Sequence, residues 1–266
     1  MYPLLRYRDK LPSVAVAQIL LNRTVPEHNL TVDGIYGSKT KNAVKAFQKP
    51  RNLGFDGVIG EKTWPRLSKG SYFSVIDAID ITDDSGEKAA IKSVGGSPVL
   101  VGWQCNGIGQ MMVEIANRAH FEGSMFLLRF HGHGSSGVIG ISDGFGYVRN
   151  TDKSKTYLTD DDLSSITNGN INQATQALRK LTRLFGKYSS VEMHHCSVAQ
   201  KPDGRLLLQK LADVWQVPVS AGKKTQLGGG STTFRFEGPV HTAFPRGGSL
   251  KAWSRALPAL PGMSVP

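Results

Sequence analysis

The chain has 266 residues, 39% of them hydrophobic and 8% aromatic, with 30 glycines and 13 prolines, a composition that excludes disordered and fibrous classes and leaves room for a core-bearing domain plus a smaller module. Its formal charge is +11, unevenly spread: residues 1–70 hold 12 Lys/Arg against 5 Asp/Glu, the remainder 20 against 16. Such a surface attracts polyanions without choosing among them; no apolar run reaches the roughly 18 residues of a membrane span, so membrane insertion is not expected, and Cys105 and Cys196 are too few for a disulfide scaffold.

The opening stretch, MYPLLRYRDKLPSVAVAQILL, is broken by Arg8, Asp9, Lys10 and Gln18 and lacks the charged head, apolar centre and small-residue cleavage site of a secretory leader. Standard export is therefore not expected; delivery by lysis, by a specialised route, or after a cytoplasmic stage is. Helical periodicity follows over 14–22 and 40–48. An internal repeat, DGIYGSKT at 33–40 and DGVIGEKT at 56–63, reads as two tight turns. In each, Asp33 or Asp56 bonds the backbone ahead, glycine tolerates positive φ, and the apolar pair points into a core. The reading is a small all-α module with two similar loops.

The series AVAQILLNR, LTVDGIYGSKTKNAVKAFQ and LGFDGVIGEKTWPRL resembles the three-helix peptidoglycan-binding domain found on cell-wall hydrolases, over roughly residues 11–68, with Pro50 after the Phe-Gln as the chief departure. The resemblance implies a non-catalytic anchor whose partner is peptidoglycan; nucleic acid is then not an expected partner. Asp33, Gly34, Gly37, Thr40, Phe47, Gln48 and Trp64 all have turn, cap or core explanations. Tyr36, Lys39 and Lys41 are the more exposed-looking candidates for ligand contact.

From residue 72 onward the pattern changes. Apolar, β-branched runs at 73–81, 98–103, 125–131, 190–195, 217–221 and 232–237 read as strands. GIGQMMVEIANRAHF, INQATQALRKLTRLFG and GRLLLQKLADVWQ read as one-sided helices between them. Strand, helix, strand predicts an α/β domain over 71–266, a mostly parallel sheet flanked by helices, joined to an all-α domain over 1–70. In such a sheet the ligand site lies beyond the carboxyl ends of the strands. Those ends carry Cys105, then His131 and His133, then Cys196. A thiol beside an imidazole is what amide cleavage by a cysteine nucleophile needs.

FLLRFHGHGSSG and VEMHHCSVAQKPDGRLLLQKLADVWQVPVSA resemble the caspase-like cysteine peptidases, the group of caspases, gingipains and separases, over roughly 72–255. In that group one apolar strand ends in His-Gly, which supplies the catalytic histidine, and a later one ends in the nucleophilic cysteine. The resemblance implies His133 as base, Cys196 as nucleophile, and an oxyanion held by the backbone N–H groups of Cys196 and Gly134. His131, His195 and Cys105 are site-lining candidates, and no cofactor or metal is implied. TDDD at 159–162 reads as a helix start with Thr159 as N-cap, ahead of the alternative that it is an acidic pocket selecting a basic side chain, and LGGGS at 227–231 reads as a loop at the site edge.

The expectation is a bacterial or phage cysteine peptidase or amidase held at the cell wall, cleaving amides of the wall's peptide stems or of nearby proteins. The alternative is a peptidoglycan-binding protein whose caspase-like domain is inactive and acts as a toxin or partner-binding part. Below both stands a zinc-dependent wall amidase using His131, His133, His194, His195, Cys105 and Cys196, whose spacing fits no standard zinc signature.

Overall fold

A computed structural model describes residues 2–69, 71, 73–80, 86–101, 107–141 and 165–259. Cys105 and the TDDD run lie outside them. The chain forms two compact units, Tyr2–Phe73 with the described residues from Gly248 onward, and Ser74–Gly247. The expected boundary at 70/71 thus falls three residues later, and the chain's last helix belongs with its first residues rather than with the α/β unit.

In the first unit, α1 (Pro12–Thr24), α2 (Ser38–Gln48) and the short α3 (Thr63–Leu67) enclose a core of Leu20, Leu21, Val44, Phe47 and Trp64. The repeated turns are each organised by one buried glutamine. Gln18 Nε2 donates to Asp33 Oδ1 (2.9 Å), Ile35 O (3.1 Å) and Thr40 Oγ1 (3.2 Å), while its Oε1 accepts from the N–H groups of Asp33 and Gly34. Gln48 repeats the pattern on Asp56 (2.9 Å), Val58 O (2.9 Å) and Thr63 (3.2 Å), its Oε1 accepting from Gly57 N–H (3.0 Å). Each Asp–Gly–x–x–Gly–x–x–Thr motif is therefore a loop whose polar groups close on the amide of a preceding helix. Gly34 is needed at its turn: φ is +73° and a Cβ would stand 2.6 Å from Leu250 Cδ1. Leu250 opens α8 (Leu250–Ala256), whose N-cap Ser249 accepts from Ala252 N–H.

The second unit is built on a six-stranded sheet. Its strands are β1 (Ser74–Asp80), β2 (Val99–Val101), β3 (Met125–His131), β7 (Phe185–His194), β8 (Val219–Gly222) and β9 (Val240–Ala243), in the order β2-β1-β3-β7-β8-β9. All neighbours are parallel except β8 and β9. The helices are α4 (Glu87–Ser93), α5 (Gly107–Arg118), α6 (Ile171–Arg179) and α7 (Pro202–Trp215). A small antiparallel sheet of β4 (Gly134–Ser135), β5 (Val138–Gly140) and β6 (Ser165–Thr167) follows β3. The expected mixed α/β architecture with a mostly parallel sheet is what the structure shows.

Strand alternation gives the large sheet two unlike faces. One carries Ile76, Ala78, Leu128, Phe130, Val191, Met193, Val219 and Ala221, and shares its core with Met111, Ile115, Leu178, Leu208 and Trp215 from α5, α6 and α7. Trp215 stacks on Phe130 at 6.1 Å and its indole N–H donates to Leu178 O. The other face also carries Ile79 and Leu127 but is polar along one row: Asp77, Arg129, Glu192, Ser220 and Thr242 pair across five strands, all buried except the half-buried Thr242.

One expected strand is absent. Residues 230–234 form a 3₁₀ turn, and the last strand is 240–243 instead. Gly228, Gly229 and Gly230 all have positive φ, and Thr232 Oγ1 donates back to the carbonyls of Gly228 and Gly229 at 2.7 and 2.6 Å. Local hydrogen bonds thus outcompete the ladder that the β-branched composition suggested.

Candidate active site

β3 and β7 are neighbours, and His131 is the register partner of His194. His133 lies two residues beyond the end of β3 and Cys196 two beyond the end of β7, so the same topology carries both to one edge of the sheet. His133 is exposed and Cys196 half-buried. The Cys196 thiol donates to Gln226 O at 3.4 Å, and the next residue, Ser197, has a left-handed backbone (φ 55°) with its N–H on Lys224 O.

Three hydrogen bonds lace the His133 loop to the Cys196 loop. His195 Nε2 donates to Gly140 O (2.8 Å), Gly137 N–H to Val198 O (3.3 Å), and Lys201 N–H to Ser136 Oγ (2.9 Å). Gly134 sits where they converge. A Cβ there would stand 2.8 Å from both His195 Cβ and Val138 O, so close packing excludes a side chain, independently of any oxyanion role.

The other site-lining candidates have structural partners. His131 is 3% exposed and its Nε2 bonds Asp77 Oδ1 at 3.1 Å, on the polar face rather than in the loop. Asp77 also takes Arg129 in a forked pair, Nε to Oδ1 at 2.8 Å and Nη2 to Oδ2 at 3.3 Å. Burial would raise the Asp77 pKa, but the guanidinium and the His131 hydrogen bond overcome it and hold the carboxyl below the usual carboxylate range. Burial lowers His131 to about 4 despite the aspartate. His194 pairs with Glu192 (3.1 Å) and stacks on Phe236 (4.4 Å). Among the described residues no three His, Cys, Asp or Glu side chains gather as a metal-ligand set.

The polar row was not anticipated, although VIDAID, LLRFH and VEMHH carry its signal: each places one charged residue, Asp77, Arg129 or Glu192, between two apolar residues that are buried.

On the first unit, Tyr36 is not a surface residue. It is fully buried, its hydroxyl donates to Gly57 O at 2.9 Å, and burial pushes its pKa far up. The repeat itself explains this, since Tyr36 occupies the position of Ile59, which is equally buried. Only the second member of each apolar pair faces the core; Ile35 is exposed. Lys39 is exposed and Lys41 half-buried. Lys41 Nζ lies 5.9 Å from the Tyr7 ring and Lys45 Nζ 5.1 Å from the Phe55 ring, and these rings are 47% and 56% exposed. Both lysine stems flank Gly57, so Tyr7, Lys41, Lys45 and Phe55 make one continuous aromatic and cationic face.

Residues 10–67 match the peptidoglycan binding domain family. A crystal structure of a peptidoglycan-binding protein from Clostridioides difficile in complex with glutamine hydroxamate is 42% identical over the aligned part, which covers 24% of this chain and 39% of that one, with a TM-score of 0.22. No curated protein matches the chain. The match over residues 10–67 supports peptidoglycan binding and, with it, action at the cell wall.

Proposed function

We propose that this chain is a thiol hydrolase held at the cell wall: the first unit binds peptidoglycan, and the second, a caspase-like domain, cleaves amide bonds with Cys196 and His133. The observation that carries the reading is the convergence of the two loops, which leave the carboxyl ends of adjacent parallel strands and are laced by three hydrogen bonds.

In the proposed cycle His133 takes the Cys196 proton, and the thiolate sulfur attacks the amide carbonyl. The resulting oxyanion is held by the N–H groups of Cys196 and Gly134. His133 returns the proton to the departing amine, leaving a thioester on Cys196. Water, deprotonated by His133, then releases the acid and restores the thiol. For His133 to take the Cys196 proton, the thiol must give up its bond to Gln226 O.

The face of Tyr7, Lys41, Lys45 and Phe55 is the proposed contact for peptidoglycan, its rings stacking on sugars and its cations meeting carboxylates of the stem peptides. Anchoring raises the local concentration of stem peptides and of proteins nearby, the two proposed substrate classes.

The test is digestion of purified sacculi and of a mixed protein substrate by wild type and Cys196→Ala, each with and without chelator. Cleavage lost in the variant and insensitive to chelator is the expected result. Cleavage that survives in the variant, or that chelator removes, overturns the thiol reading. Binding of sacculi without any cleavage favours a peptidoglycan-binding protein with an inactive second domain.

A further inference from the structure

His195 precedes the proposed nucleophile, yet its side chain leaves the Cys196 loop altogether. The ring is 1% exposed, and its Nε2 reaches the carbonyl of Gly140 at 2.8 Å. Gly140 in turn donates its N–H to the carbonyl of His133 at 2.9 Å. Two consecutive hydrogen bonds therefore run from the residue before Cys196 to the backbone of His133. Two further bonds between the loops join residues 136 and 137 to 201 and 198, farther along both segments. Of these three links, the one through His195 lies nearest in sequence to the two proposed reactive groups.

The protonation of this ring follows from the geometry. A carbonyl can only accept, so Nε2 carries the proton. Nδ1 is buried without a hydrogen-bond partner among the described residues. A second proton there would be an unpaired N–H on a buried cation, which the interior strongly disfavours. The ring is thus a fixed neutral donor, and it cannot substitute for His133 as an acid.

We infer that His195 is a positioning residue for the Cys196–His133 pair: through Gly140 it sets the spacing at which the imidazole stabilises the thiolate. The inference rests on the thiol hydrolase reading and deepens it. It accounts for a buried side chain here whose donor reaches the Gly140 carbonyl.

The experiment reads the pH midpoint of iodoacetamide alkylation at Cys196, assigned by peptide mapping, in the full chain. Wild type is compared with His133→Ala, His195→Gln, whose amide N–H extends as far as Nε2, and His195→Asn, which falls short of Gly140. His133→Ala should raise the midpoint toward the ordinary thiol value, roughly 8.5. His195→Asn should raise it in the same direction, and His195→Gln should restore the wild-type profile. If Asn leaves the midpoint at the wild-type value, or if Gln shifts it as much as Asn, His195 does not position the pair. If His133→Ala itself leaves the midpoint unchanged, the pairing of His133 with Cys196 fails instead. A second measurement needs no variant: ¹⁵N NMR of the wild-type ring should show the neutral Nε2–H form from pH 8 down to 5. A ring that protonates within that window overturns the inference even where neither substitution folds.

Discussion

Ser197 has a backbone that L-residues avoid, φ 55°, immediately after the proposed nucleophile. The conformation turns the chain out of β7 so that Ser197 N–H meets Lys224 O and Ala199 N–H meets Gly222 O, which fixes the half-buried thiol at the sheet edge. A β-branched side chain tolerates this region worst. Ser197→Val should cost about 1–2 kcal/mol in thermal unfolding and slow Cys196 alkylation, whereas Ser197→Gly should keep both near wild type; equal behaviour of the two would show that the turn carries no strain. For the chemistry itself, His133→Ala should lower amide hydrolysis by about 10²–10⁴-fold, measured as kcat/KM on a cleaved peptide, with the melting temperature unchanged because His133 is exposed. That His133 and Cys196 lie at one edge of the sheet was legible, because the carboxyl ends of neighbouring parallel strands share that edge. The partners of His131 and His195 were not, because each lies on another element: Asp77 for one, Gly140 for the other.

At the scale of elements, the two repeated loops depend on Gln18 and Gln48. Gln48→Leu removes the donor to Asp56, Val58 O and Thr63 and the acceptor of Gly57 N–H, stranding buried polar groups. The expected loss is about 2–4 kcal/mol of stability, read by denaturant unfolding, with sacculus binding falling in parallel. Tyr7→Ala and Phe55→Ala, on exposed rings, should instead weaken sacculus binding while leaving the unfolding midpoint within about 0.5 kcal/mol of wild type. The motif Asp–Gly–x–x–Gly–x–x–Thr announced the turns. It did not announce that a glutamine 15 residues before Asp33 or 8 before Asp56 closes them, since such separations follow no helical or strand period. The misread strand at 232–237 has the same origin: its β-branched composition is real, but three glycines with positive φ and the Thr232 hydroxyl decide the local path.

At the scale of the whole molecule, buried histidines give stability a definite pH dependence. Burial lowers His131 to about 4 and His195 to about 3 from the ordinary 6.5. Between pH 6.5 and 4 the unfolded chain therefore binds protons that the folded chain refuses, and stability falls as pH falls. Asp77, held below the ordinary carboxylate range, adds a loss in the same direction at still lower pH. Moving from pH 7 to 5 should cost up to about 2 kcal/mol per buried histidine, measured by urea unfolding; a flat profile would show that these rings titrate freely. Binding to sacculi should weaken with added salt, because residues 1–70 hold 12 of the chain's basic residues against 5 acidic ones. Two-part organisation was legible in the change of periodicity near residue 70, whereas the return of α8 to the first unit was not. Nothing in LKAWSRA distinguishes a helix that packs on the sheet from one that packs beside Gly34.

The most direct test of the central claim, that His133 and Cys196 form a working thiol pair, is the intact mass of the chain after incubation with a peptide acyloxymethyl ketone at neutral pH. The account predicts a single adduct mapped to Cys196, formed quickly by wild type and at least about tenfold more slowly by His133→Ala. Labelling on another residue, or equal labelling of Cys196 with and without His133, would contradict it.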